Sequence, residues 1–167
     1  MSTATRIDRG STKSTTVYSI EGDLVYERIF DAPREKVWKA FTDPEAIPRW
    51  WGPHGTTTTV VEMDVRVGGA WRYTSSAPDR EDVTFYGEYL VLERPERITW
   101  TFMFDLDGLG SQGGPETVTF EDVEGQTKAV ATSHMGSREA VEGALATGMV
   151  AGAIETYDRL EALLADG

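Results

Sequence analysis

Apolar residues recur along this chain with two rhythms, and the change from one to the other marks its elements. Leu24 to Phe30 alternates by twos, with Leu24, Tyr26 and Arg28 against Val25, Glu27 and Ile29, which predicts a strand. Pro33 then stands where a helix begins without losing a hydrogen bond, and Asp31 is close enough to cap it. Val37, Trp38 and Phe41 fall at helical spacing, the buried stripe of a short helix that Thr42-Asp43-Pro44 ends. A second short helix is expected up to Trp50 or Trp51.

After Gly55 the rhythm is that of strands. Thr57 to Asp64 is β-branched, Gly68-Gly69 turns the chain, and Ala70 to Thr74 resumes. Val83 to Leu92 is a long strand in which Gly87 predicts a bulge or bend. Ile98, Trp100, Phe102 and Phe104 alternate strictly with Thr99, Thr101, Met103 and Asp105, so these apolar side chains must face a core or cavity. The glycine-rich run Asp107–Pro115 reads as a hairpin connection, because its glycines lack the Lys-Ser/Thr pair and strand-loop-helix context of a phosphate loop. Val118 and Phe120 share a face of the next strand, and Val130, Thr132 and His134 share a face of the last.

From Ser137 to Leu164 the period becomes helical and stays so. Ser137 is placed to cap it, and Leu145, Met149, Ala153 or Gly152, Thr156, Leu160 and Leu163 mark its apolar side. About 28 residues would make a helix roughly 40 Å long. Gly143, Gly148 and Gly152 inside it cost about 1 kcal/mol each relative to alanine, so the helix depends on tertiary support. Their small size allows close approach or leaves space.

The order is therefore strand, two short helices, six antiparallel strands and a long helix. This predicts an α+β fold in which one curved antiparallel sheet of about seven strands wraps around the C-terminal helix, leaving a hollow between them. Residues 17–167 form this domain. Residues 1–16 are Ser/Thr-rich, carry Arg6, Arg9 and Lys13 but no apolar segment of a secretory signal, and read as a flexible tail.

Composition narrows the function. At 167 residues the chain supports one sizeable core, built largely from five Trp, six Tyr and six Phe. Without cysteine it has no disulfide, thiolate metal site or cysteine nucleophile, which suits a cytoplasmic location. A net charge of −12, from 28 acidic and 16 basic residues, argues against nucleic-acid and anionic-membrane partners. No apolar run approaches the roughly 20 residues of a membrane span.

Three motifs in order carry a resemblance to a known family. They are Ala32-Pro33…Val37-Trp38…Phe41-Thr42-Asp43-Pro44…Trp50-Trp51-Gly52-Pro53, then Asp64-Val65-Arg66-Val67-Gly68-Gly69, then Gly148-Met149…Leu160. Together they resemble the START-like (SRPBCC) helix-grip superfamily, and more narrowly its bacterial branch related to the activator of the heat-shock-protein-90 ATPase, from about residue 23 to 164. The resemblance implies the helix-grip fold and leaves activity open, since the branch includes polyketide cyclase-like proteins, ligand carriers, an antibiotic-sequestering protein and a link to the stress response. Where the family's last helix often reads Gly-Met-x-x-Gly-Trp with a later leucine, this chain has Ala153 and Tyr157. Losing a tryptophan there predicts a larger cavity.

The candidate site follows from these faces. Trp71, Tyr73, Phe85, Trp100, Phe102, Phe104 and Phe120 lie at strand spacing, and taken together they predict a pocket lined by several of them. Met149, Ala153 and Tyr157 face it from the helix. His134 either orients a ligand or moves a proton inside the hollow, or is hydrogen-bonded at the sheet end. His54 reads as a loop residue. No metal-ligand spacing, nucleophile elbow or cofactor motif is present, so no metal, cofactor or catalytic residue is assigned. Glu62 and Glu88 are the acids weighed for acid/base work, and both read as solvent-facing. The leading expectation is a non-catalytic binder of a small hydrophobic or aromatic molecule. The alternatives are a cyclase-like enzyme and a co-chaperone-like module that meets a protein partner or a second copy of itself.

Overall fold

Nine strands form one antiparallel sheet in the computed structural model, which describes residues 5–106 and 110–166. They are β1 (Arg6–Asp8), β2 (Thr16–Ile20), β3 (Asp23–Phe30), β4 (Thr57–Met63), β5 (Ala70–Ala77), β6 (Arg80–Glu93), β7 (Arg97–Leu106), β8 (Gly110–Val123) and β9 (Gln126–His134). Helices α1 (Arg34–Thr42) and α2 (Ile47–Trp50) follow β3, and α3 (Arg138–Leu145) and α4 (Met149–Asp166) follow β9. The spatial order is β1-β2-β3-β9-β8-β7-β6-β5-β4, so the early strand β3 pairs with the last one, β9. The α+β class holds, with nine strands rather than about seven.

The two additional strands lie at the N-terminus. Within residues 1–16, expected as a tail, Arg6–Asp8 pairs with β2, and Arg9 donates to Ser19 and Glu142. Asp8 closes the turn after β1 by accepting from the backbone N–H groups of Gly10 and Ser11. Such a segment has too few apolar residues to announce itself as a strand; backbone pairing and one buried valine, Val17, hold the hairpin.

The glycine-rich run is also more ordered than expected. Residues 107–109 lie outside the described residues, but Gly110–Pro115 belong to β8 and pair with β7 up to Leu106 opposite Gly110. In β6 the bulge falls between Tyr89 and Val91, just after Gly87. Gly87 serves another purpose: a Cβ there would stand 1.8 Å from the Thr101 backbone oxygen, so only glycine lets β6 approach β7 at that point.

Helix α1 buries Val37, Trp38, Ala40 and Phe41, as its periodicity predicts. Pro33 itself occupies the N-cap and Asp31 does not cap; its carboxylate accepts from Gln126 instead. The expected long C-terminal helix is broken. Ser137 does cap α3, accepting from the Ala140 N–H. The helix then stops at Ala146-Thr147-Gly148, where Gly148 takes φ +80°, a left-handed conformation that ends helices and that glycine adopts freely.

Three cations fix α4 against the rest of the molecule. The Arg28 side chain on β3, almost fully buried, donates to Asp158 at 2.7 Å and lies 3.3 Å from Glu161. Arg159 donates to the carbonyls of Gly52 at 2.8 Å and Trp51 at 3.3 Å, so it holds the turn that follows α2. Lys36 on α1 donates to the Leu164 carbonyl at 2.6 Å. These contacts set the helix over the concave face, where Leu160 and Leu164 enter the core.

Candidate functional site

The concave face of the sheet is an aromatic wall, and its two ends differ. Trp51, supplied by the turn after α2, stands in its middle with ring centroids 4.9 Å from Tyr73, 5.7 Å from Phe102, 5.8 Å from Phe85 and 5.9 Å from Trp71. Trp71, Tyr73 and Trp100 are at most 1% exposed, and Phe120 is wedged edge-on between Trp38 and Phe41. These predicted ligand contacts are core.

Further along the same strands, Phe85, Phe102 and Phe104 also point inward but stay only half-buried. Helix α4 places Met149, Ala153 and Tyr157 over the concave face at helical spacing, likewise half-buried. A Cβ on the neighbouring Gly152 would meet nothing within 4 Å. The fold thus brings most of the predicted residues onto one surface and divides them: a sealed half beside α1 and α2, and a half whose apolar side chains are only partly covered.

A carboxylate lies on that surface. Glu116 on β8 sits in register between Trp100 on β7 and Ser133 on β9. Trp100 Nε1 donates to its Oε1 at 3.0 Å, and Ser133 Oγ donates to its Oε2 at 2.8 Å. Burial raises the Glu116 carboxyl above the usual carboxylate range, and the bonds from Trp100 and Ser133 and the charge of His134 offset only part of this. The phenols of Tyr26 and Tyr157 lie in the same field: burial raises both, and the Glu116 charge raises both further. Their rings meet edge to face at 6.1 Å, and the Tyr26 hydroxyl, on a residue 4% exposed, has no protein partner.

His134 is not part of this site. On β9 the residues that face inward are Thr127, Ala129, Ala131 and Ser133, so Val130, Thr132 and His134 lie on the other face. The imidazole is 45% exposed and its Nδ1 lies 3.1 Å from Asp23 Oδ1, at the sheet end. The expected inward face of β9 is its outer one, because a phase difference of one residue moves every side chain to the opposite face. His54 is exposed, and its backbone N–H donates to Glu155. Two clefts of about 330 and 570 Å³ lie outside the grip, lined by residues such as Lys36, Lys39 and Arg49 or Glu35 and Arg94, and they include none of the inner-wall aromatics. Among the described residues no three metal-binding side chains come together, and no helix is long and apolar enough to cross a membrane.

Residues 31–165 match the family model of the Activator of Hsp90 ATPase homolog 1-like proteins. The chain belongs to that family. Its fold is similar to protein Ms6760 from Mycobacterium smegmatis, with a TM-score of 0.78 and 27% identity over 87% of this chain and 92% of that one. A protein from Arthrobacter aurescens has the same TM-score at 25% identity, over 88% of each chain. The AHSA1 protein from Silicibacter pomeroyi, at 21% identity and a TM-score of 0.67 over 86% of this chain and 97% of that one, shares the fold. No protein of curated function matches in sequence.

In this member of the Activator of Hsp90 ATPase homolog 1-like family, the inner face carries Glu116, Ser133 and Tyr26 beyond the residues expected from sequence. The signal for Glu116 was available: two residues before Val118 and four before Phe120, it falls on their face by simple alternation. Its placement has a measurable consequence. A carboxyl held above its unfolded value of about 4.3 keeps a proton in the folded state that the unfolded chain gives up, so its contribution to stability falls as pH rises from that value through the folded one. Glu116→Gln, which keeps the shape without the charge, is therefore expected to unfold at a higher temperature than the parent at neutral pH. The gap should close below about pH 4. Melting curves at both pH values check this, and a difference independent of pH would contradict it.

Proposed function

We propose that this chain binds a small hydrophobic or aromatic molecule between α4 and the half-covered end of the sheet. One observation carries the reading: Phe85, Phe102 and Phe104 on the sheet and Met149, Ala153 and Tyr157 on α4 all lie on the concave side, and none of the six is fully buried. A protein with a core dense enough to bury Trp71, Tyr73 and Trp100 almost completely leaves this neighbouring apolar surface partly accessible, a pattern that suits an occupant held by shape. The lining is aromatic and aliphatic, with its polar groups gathered at Glu116.

Ala153→Trp tests the proposal, because it places in the gap the indole that the family resemblance puts at this position. Titration of a neutral solvatochromic dye such as Nile red is expected to show saturable binding to the parent, weakened roughly tenfold or more in the variant, about 1.4 kcal/mol or greater. The variant's melting temperature should hold or rise as the space fills. Equal dye binding by both proteins, or none by the parent, would count against the reading.

A further inference from the structure

Glu116 is a half-buried carboxylate with half of its hydrogen-bonding capacity unused. An ionised carboxylate offers about four acceptor positions, and Glu116 receives two donors, one on each oxygen. The donor on Oε1 is an indole N–H, which cannot reverse its role, so that oxygen acts as an acceptor. Among the described residues no Lys, Arg or His forms an ion pair with it; His134 stands on the other face of the sheet beside Asp23. Even a half-buried charge is costly without a counter-ion, and polar groups withdrawn from water tend to find partners.

Around it the remaining groups are of one kind. The Tyr26 hydroxyl is buried, unpartnered and able to accept, and Tyr157 stands edge-on beside it. The half-buried ring of Phe102 stands alongside the Trp100 indole with centroids 6.1 Å apart, and aromatic faces attract cations. Carboxylate oxygens, a phenol oxygen and ring faces together make a receptor for positive charge and N–H donors, and would repel a carboxylate ligand.

Resting on the binding role proposed above, we infer that the hollow selects an aromatic or apolar amine, its ammonium group docked on Glu116 and Tyr26 and its apolar body against Phe102, Met149 and Ala153. The chain's net charge of −12 also favours the approach of a cation over an anion.

Phenethylamine, ethylbenzene and phenylacetate share a ring and differ in charge, so calorimetric titration of all three separates the questions. The amine is expected to bind more tightly than ethylbenzene, and phenylacetate more weakly than either. Glu116→Gln should cost the amine roughly tenfold to a hundredfold in affinity, the worth of a hydrogen bond to a charged group, and leave ethylbenzene unchanged. Tyr26→Phe, which removes only an unpartnered hydroxyl and so keeps the fold, should weaken the amine selectively as well. Ethylbenzene binding as tightly as the amine, or an amine affinity indifferent to both substitutions, overturns the inference and leaves the binding role standing. Failure of all three compounds, together with absence of dye binding, overturns both.

Discussion

Replacing Trp51 with alanine is expected to cost about 3–5 kcal/mol of stability, the range for truncating a large aromatic side chain in a core. For a domain of this size that corresponds to a fall in melting temperature of roughly 6–20 °C. The reason is position. Trp51 is 6% exposed and its ring touches a circle of others, Trp50, Trp71, Tyr73, Phe85, Trp100 and Phe102. The hole left by its removal is lined by rigid rings on β5, β6 and β7, whose strands are locked by their own ladders and cannot close over it. Urea denaturation of the variant measures the loss, and a change below about 1 kcal/mol would show that Trp51 is not the centre of the core. Trp51→Phe should recover part of it, since a smaller ring still reaches Tyr73 and Phe102.

The double replacement Asp158→Ala with Glu161→Ala is expected to destabilise by about 2–3 kcal/mol, and more than Arg28→Met does. Arg28 has a side chain 2% exposed whose guanidinium is matched by these two carboxylates from α4, with Thr15 as a further acceptor. Removing the acids leaves a buried cation without counter-charge, whereas removing the arginine leaves two acids that are about half exposed and can turn to water. That same exposure keeps the figure below the 3–5 kcal/mol of a fully enclosed pair. Chemical denaturation of the two variants decides the order, and Arg28→Met proving the more damaging would mean that the aliphatic stem, not the charge, is what β3 contributes to α4. Because α4 carries Met149, Ala153 and Tyr157, loosening this clamp should also weaken dye binding.

The expected and observed structures part at identifiable places. Alternation over Ile98 to Phe104 and helical spacing at Val37, Trp38 and Phe41 were legible because each depends on a run of neighbours that all obey one period. The phase of β9 was not. Ala129, Ala131 and Ser133 are small, so the strand shows no contrast between its faces, and the larger Val130 and Thr132 mark the wrong one. The three-residue β1, with Ile7 as its one apolar side chain, lacked the weight of a strand, and the stop at Gly148 is a backbone event that one glycine among several does not announce.

By itself the chain determined its class, the order of its main elements, and the family to which it belongs. Those properties are local or nearly so: a turn, a proline and a period of two or nearly four residues act within a few residues of one another. Only the tertiary structure decided that β3 closes on β9, that Glu116 rests between Trp100 and Ser133, and that Tyr26 and Tyr157 share its field. Cross-strand register and helix docking join residues far apart in sequence, and a carboxylate's burial is a property of all its neighbours together. The aromatic wall was written into the strands one residue at a time, while the charged group on it was made a site by what folded around it.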